Sequence, residues 1–240
     1  MAKNRPVKMV IWRHGQTDWN IQGRFQGHTD IPLNATGEYQ VRHAAQNLLS
    51  LRPTQIISSD LTRAKQTALA LASLTELPVK TFPALRETNG GDWEGKTDLE
   101  NKSEDGENWA RWINGEDIKA GSIGESRSDV VYRVRKLLDG VIENLQKSET
   151  NEPAVLVVVT HGGTARAIIG SYLELPVPLW SIYGGLANAS WSILAPRRLP
   201  LSLDSKPTPT LDTDKISWQL VEHNAGTIPE PVIGDGEGSV

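Results

Sequence analysis

An unbroken apolar run, Ala154–Val159, is the stretch that most constrains how this chain can fold. A strand with apolar residues on both faces must be covered from both sides, which is typical of a central strand in a parallel sheet. A second, largely apolar run, Val7–Trp12, predicts another buried strand. Between and after these runs, apolar residues recur with helical spacing. Alternating strands and helices imply right-handed crossovers, so the sequence predicts a three-layer α/β/α fold with a mostly parallel central sheet.

Turn residues and periodicity set the expected boundaries of the remaining elements. Helices are predicted from a cap at Asn34 or Thr36 to Pro53, from a cap at Ser58–Asp60 with Arg63 in the first turn, over Val130–Leu145, and over Ala165–Leu173. Short strands are predicted at Ile56–Ile57 and Val79–Phe82, and an antiparallel edge at Asn188–Leu194 and Ile216–Val221. The polar, Gly-punctuated stretch Thr97–Gly124 predicts an excursion with short helices, anchored by Trp109, Trp112 and Ile113.

We expect a single domain over residues 1–224, because the chain shows neither an internal repeat nor a domain linker. A length of 240 residues is enough to bury one large core. The Pro- and Ser-rich stretch Arg197–Asp214 is predicted to connect the two edge strands. Residues 225–240 are rich in Gly, Pro and acids, which predicts a flexible tail.

Composition excludes several classes of function. The chain has no cysteine, so disulfides, thiolate metal sites and cysteine nucleophiles are ruled out. A formal net charge of -4 offers no general attraction to nucleic acid or to a membrane surface, so an anion must be bound in a local pocket. No window approaches the roughly 20 apolar residues of a membrane span, and no signal peptide is visible, so we expect a cytoplasmic protein. His28, His43 and His223 lack partners at metal-ligand spacing, so no metal site is expected.

Both buried strands end in a motif that suits an anion. The first strand leads into Arg13-His14-Gly15, and the second ends at Thr160-His161-Gly162. In sheets of this kind, ligands bind at the carboxyl ends of the strands. A guanidinium beside an imidazole, followed by a glycine that we expect to let the backbone approach a ligand, suits a tetrahedral oxyanion such as phosphate.

Phosphoryl transfer requires a nucleophile, neutralisation of the non-bridging oxygens and a proton for the leaving oxygen. His14 can attack phosphorus through a neutral ring nitrogen and hold the phosphoryl group. Arg13 and Arg63 can clamp oxygens in a bidentate manner, and His161 can donate a further hydrogen bond. Arg63 also lies at a predicted helix start, where anions are favoured.

The chain is similar to the histidine phosphatase, or phosphoglycerate mutase-like, superfamily. The resemblance rests on motifs in family order: Arg13-His14-Gly15-Gln16-Thr17, Asn20, Leu33–Gly37, Ser58–Ala68, Leu85-Arg86-Glu87, Gly91–Gly95 and Thr160–Gly163. It implies that His14 is phosphorylated, that Arg13, Arg63 and His161 complete the phosphate pocket, and that Glu87 donates the proton. Asn20, Gln26 and Gly162 match positions that contact phosphate or substrate. The family uses neither cofactor nor metal, and its members often pair as homodimers through an edge strand.

Several activities stay open within this family. Mutases carry Glu-Arg-His-Tyr-Gly at the position of Glu87 and a basic insertion after it, whereas this chain has Glu87-Thr88-Asn89-Gly90-Gly91 and an acidic excursion, which favours hydrolysis. Segments at Gly124–Arg127 and Gly184–Trp191 resemble actinobacterial phosphatases that act on glucosyl-3-phosphoglycerate, a small phosphorylated metabolite. A phosphoglycerate mutase, an alpha-ribazole phosphatase, a broad-specificity sugar phosphatase and a non-catalytic phosphate-binding module are the alternatives.

Overall fold

The computed structural model describes residues 5–148, 150, 152–197 and 217–226. The strands of this part of the chain are β1 (Val7–Arg13), β2 (Gln55–Ser58), β3 (Val79–Thr81), β4 (Ala154–Thr160), β5 (Trp191–Arg197) and β6 (Ser217–Ala225). Its helices are α1 (Asp18–Ile21), α2 (Ala35–Leu49), α3 (Thr62–Thr75), α4 (Asp98–Glu104), α5 (Gly106–Ile113), α6 (Arg127–Gln146) and α7 (Gly162–Tyr172). Short 3₁₀ turns occupy Pro83–Leu85, Gly91–Trp93 and Val177–Ile182.

The strands form one mixed sheet in the order β3-β2-β4-β1-β5-β6. β1 and β2 both run parallel to β4, and β3 runs parallel to β2. β5 is antiparallel to β1, and β6 is antiparallel to β5. The predicted mostly parallel sheet with an antiparallel edge is therefore confirmed, and the two most apolar strands lie side by side in its middle.

Alternation along the central strands explains the three layers. Met9, Ile11, Leu156 and Val158 point to one face of the sheet and join a core cluster with residues of α6 and α7. Val10, Trp12, Val157 and Val159 point to the other face and join a second cluster with residues of α2 and α3. Every residue of β4 is buried, as its apolar sequence requires for a strand covered on both sides.

The excursion after β3 forms a small cluster of its own. α5 contributes Trp109 and Trp112 to this cluster, and Trp93 lies at its centre, with its ring centroid 5.0 Å from that of Trp109 and 5.7 Å from that of Trp112. Phe25, from the loop after α1, packs in the same cluster. The excursion is thereby fixed against the loop that follows β1, at the carboxyl end of the sheet.

Some predicted boundaries are wrong. α3 is not capped by Ser58–Asp60: its N-cap is Leu61, which has no side-chain cap hydrogen bond, because Asp60 accepts two hydrogen bonds from Arg86 instead. α2 ends at Leu49, four residues before Pro53, and Arg52 has a φ of 53°.

At the sheet edge, β5 begins at Trp191 rather than Asn188, and β6 extends to Ala225, which pairs with Trp191. The first residue of the predicted tail, Ala225, is therefore the last residue of β6. Residues 198–214 of the connector and residues 227–240 of the tail lie outside the described residues. The single domain over residues 1–224 stays a prediction.

Candidate active site

Two histidines meet at the centre of the sheet. β1 and β4 are in register with Arg13 opposite Thr160, so the residues that follow, His14 and His161, leave neighbouring strands together. The backbone N–H of His14 donates to the carbonyl of Thr160 at 3.0 Å, which continues the ladder by one bond. The two imidazole centroids lie 5.1 Å apart in an edge-to-face arrangement. The predicted juxtaposition of the two strand-end motifs is confirmed.

The tautomer of His14 follows from its backbone contact. Nδ1 lies 2.7 Å from the carbonyl oxygen of Gly15, which can only accept, so Nδ1 carries the proton and Nε2 keeps its lone pair. Burial, followed by the charges of Arg63 and Arg13, holds the pKa of His14 well below 6.5. The side chain is therefore a neutral imidazole at physiological pH, in the form that a nucleophile needs.

His161 has the opposite tautomer. The Nε of Arg63 donates to Nδ1 of His161 at 3.1 Å, so the ring proton lies on Nε2. Burial and the charge of Arg63 hold the pKa of His161 well below 6.5, so this ring is neutral as well. Its Nε2 is fully buried and has no hydrogen-bond partner among the described side chains and backbone. A buried donor of this kind is costly unless a ligand accepts from it.

Arg63 is fully buried on the first turn of α3. Besides its bond to His161, Nη1 donates to the carbonyl of Thr29 and Nη2 to that of Gly27, both at 2.8 Å. The sequence predicted only a clamp on a ligand. The structure adds a second task, since Arg63 joins the loop after α1 to the imidazole of His161 and fixes its tautomer.

Arg13 is also buried, and its Nη1 donates to the carbonyl of Leu186 at 2.5 Å. The side chain lines the cleft that opens beside the two histidines. Arg13 and Arg63 thus place two guanidinium charges next to a pair of neutral rings. Because a guanidinium stays protonated under all ordinary conditions, the site is positively charged whatever the histidines do.

Glu87 rests on the N-terminus of α7. Its Oε2 accepts from the backbone N–H of Gly163 at 3.0 Å, and its Oε1 accepts from those of Thr164 at 3.0 Å and Thr88 at 2.7 Å. A Cβ on Gly163 would lie 2.8 Å from Oε1, so the carboxylate needs a glycine there. Arg86 pairs with Asp60 instead, which leaves Glu87 facing the cleft.

The other predicted contact residues divide into two groups. Gln26 and Gly162 line the cleft, and the buried Oε1 of Gln26 has no hydrogen-bond partner among the described residues. Asn20 lies outside this lining, because its Oδ1 accepts from the Thr17 backbone in the capping box of α1 and from the side chain of Asn188. Asn188 also donates to the carbonyl of His14 at 3.3 Å, so the side chain of Asn188 links Asn20 to the backbone of His14.

The reason for Gly15 differs from the sequence interpretation. A Cβ at this position would lie 2.6 Å from the carbonyl oxygen of Gly37 and 2.7 Å from a methyl group of Val41. Both belong to α2. The glycine therefore allows α2 to pack closely against the loop that carries His14, and no ligand contact is needed to explain it.

The cleft beside the histidines is lined in part by residues that the sequence analysis did not assign to the site. Arg127 from α6 and Arg166 from α7 line it, with Trp112 and Trp180 among its apolar walls. A signal for Arg166 was available, since it stands four residues after Gly162 on one helix and so shares its face.

Two further observations concern the described parts of the chain. None of their helices combines the length and the apolar composition that a membrane span requires. No three His, Asp or Glu side chains in these ranges come together in a way that could hold a metal ion.

Comparison of the sequence and the structure with known proteins identifies the family of this chain. Residues 9–203 match the histidine phosphatase superfamily (branch 1). The chain belongs to the histidine phosphatase superfamily. This histidine phosphatase is 37% identical over 226 residues to glucosyl-3-phosphoglycerate phosphatase of Mycobacterium tuberculosis, covering 92% of this chain and 96% of the relative.

Other relatives carry different names. Over 171 residues the phosphatase is 35% identical to a probable phosphoglycerate mutase of Yersinia enterocolitica, covering 71% of this chain and 76% of that one. Among solved structures, mycobacterial glucosyl-3-phosphoglycerate phosphatase in complex with VO3 matches with a TM-score of 0.78 at 35% identity, covering 91% of this chain and 99% of the other. The superfamily resemblance drawn from the sequence is confirmed, and the chain is a phosphomonoesterase.

Proposed function

We propose that this enzyme hydrolyses phosphomonoesters through a phosphohistidine on His14. The observation that carries the proposal is the complementary pair of tautomers. His14 has a lone pair on Nε2, and the N–H on Nε2 of His161 has no hydrogen-bond partner among the described residues; both rings are buried beside two guanidinium groups. A phosphoryl group needs one nucleophile and several donors to its oxygens, which is what this pair supplies.

In the first step, Nε2 of His14 attacks phosphorus and the bond between phosphorus and the leaving oxygen breaks. Arg13, Arg63 and the N–H of His161 stabilise the charge on the non-bridging oxygens. Gln26 and the Gly162 backbone at the start of α7 line the cleft together with Arg13. Glu87 in its acid form gives its proton to the leaving oxygen, so an alcohol departs.

In the second step, water attacks the phosphohistidine and the bond between phosphorus and nitrogen breaks. The carboxylate of Glu87 takes the proton of that water, which returns the residue to its acid form, and inorganic phosphate is released. His14 recovers its neutral form, which its burial and the neighbouring arginines favour. The net change is one ester and one water converted to one alcohol and one phosphate.

For the substrate, we propose glucosyl-3-phosphoglycerate. The 37% identity to the mycobacterial phosphatase of that name, over nearly the whole of both chains, supports this choice. So does the cleft beside the reacting pair, whose lining combines arginine side chains with aromatic ones. Hydrolysis is preferred over mutase activity because Thr88-Asn89-Gly90 follows Glu87 and acids dominate residues 97–124.

The proposal includes three further features. The reaction is written without a metal, because His14 supplies the nucleophile and the arginines supply the positive charge, and unchanged activity in a chelator tests this. A cytoplasmic location is supported by the lack of cysteine, since such a chain has no need of an oxidising compartment. A homodimer is supported by β6, which lies at one edge of the sheet formed by the described strands, and light scattering tests it.

The decisive experiment traps the intermediate. The enzyme is mixed with a ³²P-labelled ester and quenched in alkali, where phosphohistidine survives, and His14→Ala is run beside it. Label on the wild type that is absent from His14→Ala supports the proposal. A wild type that turns over without label refutes it, and one that neither turns over nor labels is a binding module. Formation of 2-phosphoglycerate from 3-phosphoglycerate, rather than free phosphate, would identify a mutase.

A further inference from the structure

Two arginines that are not part of the phosphate pocket line the same cleft as Glu87. Arg127 is the first residue of α6, and Arg166 lies one turn into α7. Both are half-buried. With Arg13 they make three guanidinium groups in the cleft lining against one carboxylate, that of Glu87. The cleft lies beside the phosphate pocket, so Arg127 and Arg166 are placed to meet a part of the substrate other than the phosphoryl group.

Arg127 is held rigidly in place. Its Nη1 donates to the carbonyl of Glu116 and its Nη2 to that of Trp112, both at 2.8 Å. Its guanidinium carbon lies 4.0 Å from the centroid of the Trp112 ring, in a cation–π contact. These partners are neutral, so they orient the guanidinium without compensating its charge. Nearby Asp117 accepts from the backbone and the hydroxyl of Ser128.

The electrostatics of this end of the cleft favour an anion. Burial, followed by the charge of Arg166, lowers the pKa of Arg127 to about 10, and Asp117 opposes the shift. Two guanidinium charges that repel each other in a partly buried space are relieved by a negative group between them. A carboxylate fits, because its two oxygens accept from a guanidinium edge in parallel.

We propose that Arg127 and Arg166 form a second anion subsite, which binds a carboxylate on the leaving alcohol. This inference rests on the proposed function and deepens it, since it makes phosphorylated hydroxy acids the preferred substrate class. The apolar walls contributed by Phe25, Trp112 and Leu186 then cover the carbon skeleton between the phosphate and the carboxylate. A second phosphate on the leaving group is the competing source of negative charge.

The test compares substrates that differ in one group. 3-Phosphoglycerate and glycerol 3-phosphate differ only in a carboxylate against a hydroxymethyl, and fructose 1,6-bisphosphate serves as the doubly phosphorylated competitor. We expect the wild type to prefer 3-phosphoglycerate by at least ~10-fold in kcat/KM. In Arg166→Gln and Arg127→Gln that preference should fall toward 1, chiefly through a higher KM for 3-phosphoglycerate.

Conservative and control variants keep the result interpretable. Arg166→Lys and Arg127→Lys retain the charge and should recover part of the preference. Arg42→Gln removes an exposed arginine of α2 that pairs with Glu38, and should leave the ratio unchanged. Thermal melts establish that each variant is folded, and Arg166→Gln carries the test if Arg127→Gln is not.

Three outcomes overturn the subsite. One is a preference ratio below 3 in the wild type, another is a ratio that folded Arg166→Gln leaves unaltered, and the third is a stronger preference for the bisphosphate, which assigns the arginines to phosphate. A failure of the proposed function itself is detected with p-nitrophenyl phosphate, which carries no carboxylate and so does not depend on the subsite. If the enzyme neither hydrolyses this ester nor forms phosphohistidine with it, the proposed function is wrong.

Discussion

Replacing Gly163 with alanine tests the placement of Glu87 without altering a chemical group in the site. The added Cβ would lie 2.8 Å from Oε1 of Glu87 and 3.0 Å from Oγ1 of Thr88. Ordinary van der Waals contact begins at 3.4 Å, so the carboxylate must retreat by the difference, 3.4 − 2.8 = 0.6 Å. That movement strains the hydrogen bonds from the Gly163 and Thr164 backbone, each now 3.0 Å long.

A displacement of this size is expensive for a proton donor. Misplacing a reacting group by about 1 Å can cost ~10²-fold in rate, so we expect kcat for an alkyl phosphate to fall by ~10- to 50-fold. p-Nitrophenyl phosphate needs little help from an acid, because its leaving group is already a stable anion. Its kcat should fall by no more than ~3-fold. The assay is steady-state release of phosphate from both substrates by wild type and variant.

The matched control is Gly140→Ala, in the middle of α6. A Cβ there meets nothing within 4 Å, so kinetics should be unchanged and helix propensity should stabilise the fold by ~0.5–1 kcal/mol. If Gly163→Ala slows both substrates equally, or slows neither, Glu87 is not the proton donor held by α7. A general loss of folding would show in the melting temperature, which the control calibrates.

Three other outcomes are expected. His14→Ala should abolish the phosphohistidine and lower kcat by at least ~10³-fold in the trapping assay, whereas residual labelling would place the nucleophile elsewhere. Because His14 and His161 have folded pKa values below the 6.5 of an unfolded histidine, the unfolded state binds more protons below pH 6.5. Urea unfolding should therefore show stability falling as pH drops from 6.5 toward 5, by up to about 1.4 kcal/mol per pH unit for each ring, and His161→Gln should reduce that slope. Gly15→Ala should lower the free energy of unfolding by ~1–3 kcal/mol, because the added Cβ overlaps with Val41 and the Gly37 carbonyl. An unchanged free energy of unfolding would instead favour the interpretation that Gly15 contacts a ligand.

Much of this fold was predictable because its signals are local. Ala154–Val159 can only be a doubly covered strand, and helical stripes on both sides of it leave few alternatives to a layered fold. The pairing of His14 with His161 was equally predictable, because parallel strands bring their carboxyl ends to one edge. Arg63 was predicted from its place at a helix start, and the superfamily motifs then supplied Glu87, which no short-range pattern connects to either histidine.

The parts that sequence reasoning missed depend on contacts between distant segments. Gly15 is explained by α2 packing over it, and the cap expected at Ser58–Asp60 is lost because Arg86 takes Asp60. Arg127 and Arg166 are 39 positions apart, and only the packing of α6 beside α7 brings them to one cleft. Arg166 shares a helix face with Gly162, but Arg127 shows no spacing that would separate it from a solvated helix arginine.

The register of β1 against β4 has a consequence for how specificity and chemistry can vary. Neighbouring strands in any sheet are ~4.7–4.9 Å apart, close to the 5.1 Å between the two imidazole centroids. The distance between nucleophile and hydrogen-bond donor is therefore set by the backbone of the sheet. The walls of the cleft beside this pair come from α5, α6, α7 and the loop before β5. An engineer can thus rebuild those walls to accept a new alcohol while the reacting pair keeps its spacing.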